Sequence, residues 1–180
     1  MESRIALKKY GPRLWTREKA REIRHVVEDR LETMPAMATL VIDGAGVEVF
    51  DFSFANELFG RLAIALPTLS SPRFVVVEHL EPYARENLEK ALLILGLAIV
   101  ERRGAKAQLL GKVGAADAET FALLSGTTRP TTAGQLAEKL RTALTAMNER
   151  LTRLMKLGVV ARVRAEQPTG REQYAYLAPR

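Results

Sequence analysis

The chain has 180 residues, room for one full domain or for two small ones sharing an interface, and its 47% hydrophobic and 27% charged residues describe a soluble globular composition. That composition excludes collagen-like, low-complexity and disordered classes, and the absence of cysteine excludes disulfide frameworks, thiolate zinc sites, iron–sulfur clusters and cysteine nucleophiles and suits a reducing cytoplasm. The net charge of +6 is unevenly placed: 17 basic against 15 acidic residues up to Lys112, and 10 against 6 from Val113 on, so the C-terminal third carries the surplus and favours a polyanionic partner.

Residues 1–13 lack the apolar stretch and small-residue cleavage site of a signal peptide, and 4–10 (RIALKKY) partly alternate and stop at Gly11-Pro12, which predicts a short strand. Thr16 opens a helix in which Ala20, Ile23, Val26, Val27 and Leu31 recur at three- and four-residue steps until Pro35 ends it. Residues 38–43 (ATLVID) read as a buried strand, prolonged or bulged by 47–50. Residues 53–66 place Phe54, Leu58, Phe59, Leu62 and Leu66 at helical steps, with Ser53 as the N-cap. Another strand follows at 73–77, then a helix from Pro82 that ends at Gly96, then a strand pair across 97–110 that turns at Arg103-Gly104. The longest apolar run, ten residues at 91–100, is half of the roughly 20 a membrane helix needs and reads as core. This order predicts an open α/β sheet covered by helices, over residues 1–112.

The glycine-rich stretch 111–117 (GKVGAAD) marks a boundary, and residues 113–180 form the second predicted domain. A short helix at 118–124 precedes the turn GTTRP, and Thr132 with Gln135 three residues on matches a capping box for a helix through Leu140. After a break at Arg141-Thr142-Ala143, Met147, Leu151 and Leu154 form the inward stripe of a longer helix ended by Gly158. Two alternating segments, 159–165 and 171–177, flank EQPTG as a hairpin.

The stretch TTAGQLAEKL followed by LTAMNERLTRLMKLGVVARVRAEQPTGREQYAYLAP resembles the winged helix-turn-helix of bacterial transcription regulators, over about 60 residues. Leu136-Ala137, Leu157-Gly158-Val159-Val160 and Tyr176-Leu177 carry the resemblance, while Arg141 stands in the turn where glycine is common. An inward apolar stripe leaves Thr145, Asn148, Glu149, Thr152 and Arg153 near the outer face of the third helix, where such side chains can meet bases or phosphates. Arg162, Arg164 and Arg171 would come from the wing. Glu149 argues against a uniformly phosphate-binding helix.

The run TLVIDGAGVEVFDFSFANELFGRLAIAL resembles a STAS domain, the fold of anti-sigma-factor antagonists, and most closely its STAS-like branch of unassigned function, over most of residues 4–110. In the antagonists an Asp-Ser-Ser-Gly loop carries a phosphorylatable serine that a partner kinase meets. Asp51 fits the aspartate here, but Phe52 and Phe54 replace the first serine and the glycine, which leaves Ser53 the one hydroxyl. Asp51, Ser53 and Glu57 are the candidate partner or regulatory loop, with helix capping as the role of Ser53 and solvated or partner-facing charges as the role of the two carboxylates.

No catalytic constellation, metal or cofactor is expected: His25 and His79 lack ligand spacing, and neither a Walker A sequence nor GxGxxG occurs. The resemblances imply a non-enzymatic cytoplasmic regulator whose winged helix reads double-stranded DNA while the STAS-like domain senses, binds a partner or dimerises, with a homodimer expected. The alternative is an interaction adaptor in a partner-switching or phage-defence assembly, in which the STAS-like domain engages a histidine-kinase-type ATPase. No membrane partner is expected.

Overall fold

The computed structural model describes residues 1–166 and 172–179. In chain order the elements are β1 (Glu2–Ala6), β2 (Arg13–Leu14), α1 (Arg17–Thr33), β3 (Thr39–Asp43) and β4 (Val49–Phe50). Then come α2, one continuous helix made of Phe52–Ala55, a π-turn Asn56–Gly60 and Arg61–Ala65, followed by β5 (Phe74–Glu78), α3 (Pro82–Leu95), β6 (Ala98–Arg103) and β7 (Lys106–Gly111). The rest is α4 (Ala115–Ser125), β8 (Thr131–Thr132), α5 (Ala133–Lys139), α6 (Leu144–Lys156), β9 (Ala161–Glu166) and β10 (Glu172–Leu177). The chain is therefore an α/β protein with a mixed sheet: β1, β3, β5 and β6 run parallel in that spatial order, and β7 closes the edge antiparallel to β6.

The runs Leu40-Val41-Ile42 and Val75-Val76-Val77 are rich in β-branched residues that suit a strand covered on both faces, and every residue of β5 is buried. Successive side chains point to opposite faces. Ile5, Leu40, Ile42, Val75, Val77, Ile99 and Leu110 join the apolar stripes of α1, α2 and α3 in one core. Within it the Phe50 ring packs against those of Phe54 and Phe59, at 5.5 and 5.6 Å between centroids. Because the strands are laid down in one direction and crossovers in parallel sheets are right-handed, all three crossover helices fall on this face.

The opposite face is covered by the C-terminal elements. Val76 and Val100 belong to a second cluster with Phe121 and Leu124 of α4, Leu136 of α5, Met147, Leu151 and Leu154 of α6, and Tyr176 of β10. The glycine-rich stretch after β7 thus marks a change of architecture, and the apolar core continues across it. Gly111 sits at φ +112, where a Cβ would lie 2.3 Å from the Leu97 carbonyl oxygen, so the chain can leave the sheet here only as glycine.

Several local expectations are corrected. The first strand is Glu2–Ala6, because its partner β3 ends at Asp43; Leu7–Tyr10 turns as a 3₁₀ segment that buries Leu7. Residues 47–50 do not prolong β3, since Val49–Phe50 pairs with Arg13–Leu14 in a separate two-stranded sheet. The helix at 118–124 starts earlier, at Ala115. The capping box at Thr132 and Gln135 forms as read, with both hydrogen bonds present. Arg141, in the turn before α6, adopts a left-handed φ of +49, which for a residue with a Cβ costs about 1–2 kcal/mol.

The shared core has a measurable consequence. Phe121→Ala is expected to cost about 3–5 kcal/mol. Trp15, the one tryptophan, lies in the chain between β2 and α1, in the N-terminal part, so its fluorescence midpoint in urea is expected to fall together with the helical circular dichroism. A Trp15 midpoint unmoved while the helical signal shifts would show that the two sides unfold independently.

Candidate functional site

α6 is amphipathic in the plainest way: Met147, Leu151 and Leu154 are buried, while Thr145, Asn148, Glu149, Thr152 and Lys156 are exposed. The Thr152 hydroxyl donates to the Asn148 carbonyl at 2.7 Å, so it meets an outside group as an acceptor. Arg153 is also half exposed, 4.0 Å from Glu149, and is tied to α4 as well. Its Nε and Nη2 each donate to the buried Asp117 of α4 at 2.8 Å, a two-point clamp that holds the guanidinium firmly protonated. Arg150 makes a parallel strut, donating to the Ala116 carbonyl and the Thr120 hydroxyl at 3.4 Å. Arg153 thus ties α6 to α4 while its side chain stays 51% exposed.

The hairpin pairs β9 with β10, and β9 is an edge strand of the order β8-β10-β9. Arg162 and Arg164 stand opposite Tyr176 and Tyr174 on one face of it, and the Arg162 guanidinium lies 4.2 Å from the centroid of the exposed Tyr174 ring. Arg164 is also exposed. Arg171 lies outside the described residues, as does the turn at 167–170.

One feature escaped sequence reasoning. The loop before β8 lies along α5 and encloses an open cleft of about 900 Å3 lined by Thr127, Arg129, Lys139 and Arg141 among others. None of these three cations makes an ion pair among the described residues, although Glu138 also lines the cleft. The ten-residue step from Arg129 to Lys139 follows no helical period, and the return of the loop onto α5 brings them together.

The expected loop on α2 is not one site. Asp51 Oδ1 accepts from the Phe54 amide at 2.7 Å, so Asp51 caps the helix, and Ser53 falls inside the first turn. Glu57 is buried against α1, within 3.4 Å of Arg24 and 3.6 Å of Arg21, instead of facing solvent. The cap and the interhelical pair occupy the two carboxylates separately.

In parallel sheets ligands usually meet the carboxyl ends of the strands. Here Asp43 and Glu78, at the carboxyl ends of β3 and β5, join an ionic network that runs back across the sheet to Arg4 and to Glu2 at the start of β1. Arg102 bridges Glu78 and Glu2, the latter at 2.9 and 3.0 Å, and Arg4 reaches Asp43 and Glu78 at 2.8 Å. His79 Nδ1 lies 2.8 Å from Asp43 Oδ1. The Arg102 hydrogen bonds hold the Glu2 carboxyl below the usual carboxylate range. Partial burial opposes ionisation of Asp43, yet the Ala45 amide, His79 and Arg4 outweigh it and hold its carboxyl low as well.

Compared with known proteins, the chain matches no family model and no curated sequence. No helix among the described residues is long and apolar enough to cross a membrane.

A carboxyl whose acidity is raised by folding contributes stability above its unfolded value and loses it as pH falls through the folded one. Stability is therefore expected to drop on acidification below about pH 4, the ordinary carboxylate range. The Glu2→Gln/Asp43→Asn variant is expected to show a shallower drop in urea midpoint over that window. An unchanged acid slope would show that the network does not report on folding.

Proposed function

We propose that this protein is a non-enzymatic, DNA-reading transcription regulator of the cytoplasm, in which α4 to β10 act as a winged helix-turn-helix and residues 1–112 as a STAS-like sensing, partner-binding or dimerising domain. The observation that carries the reading is the outer face of α6, where Thr145, Asn148 and Thr152 stand exposed beside a hairpin that presents Arg162 and Arg164. Hydroxyl and amide side chains of this kind hydrogen-bond base edges, and arginines on a hairpin neutralise phosphates. The order of elements, the capped α5 and the cluster of Arg129, Lys139 and Arg141, without ion pairs among the described residues, support the same reading. Glu149 limits phosphate contact on α6 to its ends, where Lys156 and the Arg141 turn lie.

The adaptor reading is favoured by one specific observation. Leu93, Ile94 and Leu95 at the end of α3 are 46%, 73% and 39% exposed, an apolar step that a protein partner such as a kinase-like ATPase could cover.

A titration of the full chain against its own upstream duplex and a scrambled duplex, at two salt concentrations, tests the proposal. Preference for the native duplex is expected. Arg162→Ala/Arg164→Ala is expected to flatten the salt dependence by roughly two phosphate contacts. Asn148→Ala is expected to cost about 1–3 kcal/mol on the native duplex alone. Arg153→Ala is expected to lower the melting temperature more than it lowers affinity. Equal, weak, salt-erased binding to both duplexes would overturn the proposal in favour of a protein-docking module.

A further inference from the structure

A second cleft, of about 250 Å3, opens at the seam between the sheet and the C-terminal helices, with walls from both sides. Leu66, Leu69 and Phe74 line it from the loop after α2 and the start of β5, and Met155 and Val160 line it from the end of α6 and the approach to β9. Beside it the packing is close: Gly158 sits at φ +71, where a Cβ would lie 3.0 Å from Leu66 Cβ and 3.2 Å from Pro67 Cδ.

The polar side chains on this lining are both arginines, Arg73 and Arg162, and no carboxylate is among them. Arg73 is half-buried and held in place by backbone alone. Its Nε donates to the Met34 carbonyl at 2.7 Å, Nη1 to Ser71 at 3.2 Å and Nη2 to Glu32 at 3.5 Å. Of the five N–H donors of a guanidinium, these use three. Carbonyl dipoles orient the cation but do not neutralise it, and no ion pair to Arg73 occurs among the described residues. A half-buried cation against apolar walls, with donors to spare and no counter-charge, is arranged for an anion.

We propose that this cleft binds a small organic acid: an apolar body of one or two rings, or a short chain, bearing a single carboxylate. The carboxylate would meet the remaining Arg73 donors, and the body would lie against Leu66, Leu69, Phe74 and Met155. The volume is just below the range of about 300–1,000 Å3 for drug-sized ligands, which suits a molecule of this size. Its walls join the end of α6 and the start of β9 to the sheet, so occupancy adjusts the helix and hairpin that are proposed to read DNA. Only this consequence rests on the DNA-reading proposal.

The test is calorimetry on the full chain without DNA, using 2-naphthoate as the probe and 2-naphthamide as its neutral match. Saturable one-to-one binding of 2-naphthoate is expected, with the amide about tenfold weaker or more. Met155→Trp, which fills the cleft and keeps Arg73 in the sequence, is expected to abolish binding in a protein that still melts cooperatively. Arg73→Met is expected to weaken naphthoate by about tenfold while leaving the amide unchanged. Absence of saturable binding up to about 10 mM, equal affinity for the amide, or naphthoate binding that survives Met155→Trp would overturn the assignment. Since no duplex is present, a failure of DNA reading leaves this result untouched.

Discussion

The molecule is organised around a sheet that its own crossovers can cover on one face only. Strands β1, β3, β5 and β6 are added in a single direction, so α1, α2 and α3 are stacked on the same side. Val76 and Val100 point the other way and are fully apolar. A β-branched surface of this kind left in water forgoes roughly 25 cal/mol for each Å2 it could bury. The C-terminal helices and hairpin supply the missing cover, and in doing so they acquire a fixed seat on the sheet. The left-handed exit at Gly111 and the tight contact of Gly158 with Leu66 and Pro67 are the two points where the backbone accommodates that seat.

Once that seat exists, the charges divide into two populations. Arg150 and Arg153 of α6 bond to α4, and Arg4 and Arg102 join the ionic network across the sheet. These cations are structural, since each one satisfies a carboxylate or a backbone group that burial would otherwise leave unmatched. Asp117 and Glu119 are thereby occupied within the C-terminal elements. Arg129, Lys139 and Arg141 stand around the larger cleft and Arg162 and Arg164 are exposed on the hairpin, where a polyanion could approach. Arg73 differs from these cations in having backbone carbonyls as partners and no carboxylate beside it among the described residues.

Much of the candidate site was legible because it depends on local rules. The capping box at Thr132 and Gln135, the inward stripe of Met147, Leu151 and Leu154, and the outward Thr145, Asn148 and Thr152 follow from spacing along one helix. The tie of Arg153 to α4 was not legible, because its partner Asp117 lies 36 residues away on another helix. Ser53 looked like a cap for the same kind of reason. Asp51 is two residues earlier and equally able to cap, and the choice between them is made by β4, which ends at Phe50 and sets where the helix can begin. Glu57 offered no local sign of burial, since its partners Arg21 and Arg24 lie on another helix.

By itself the sequence determined the α/β class, most of the helices and strands and the amphipathic sense of each helix, because periodicity, capping and turn residues act over a few positions. The tertiary structure decided which strands pair, where β1 stops, which arginines serve as struts and which groups line the two clefts. Those outcomes depend on contacts between residues tens of positions apart, and they are set by the requirement that both faces of one sheet be buried. The continuous core across residues 111–114 is the clearest case: glycine marks the change of direction in the sequence, but the bare face of the sheet dictates what the chain does next.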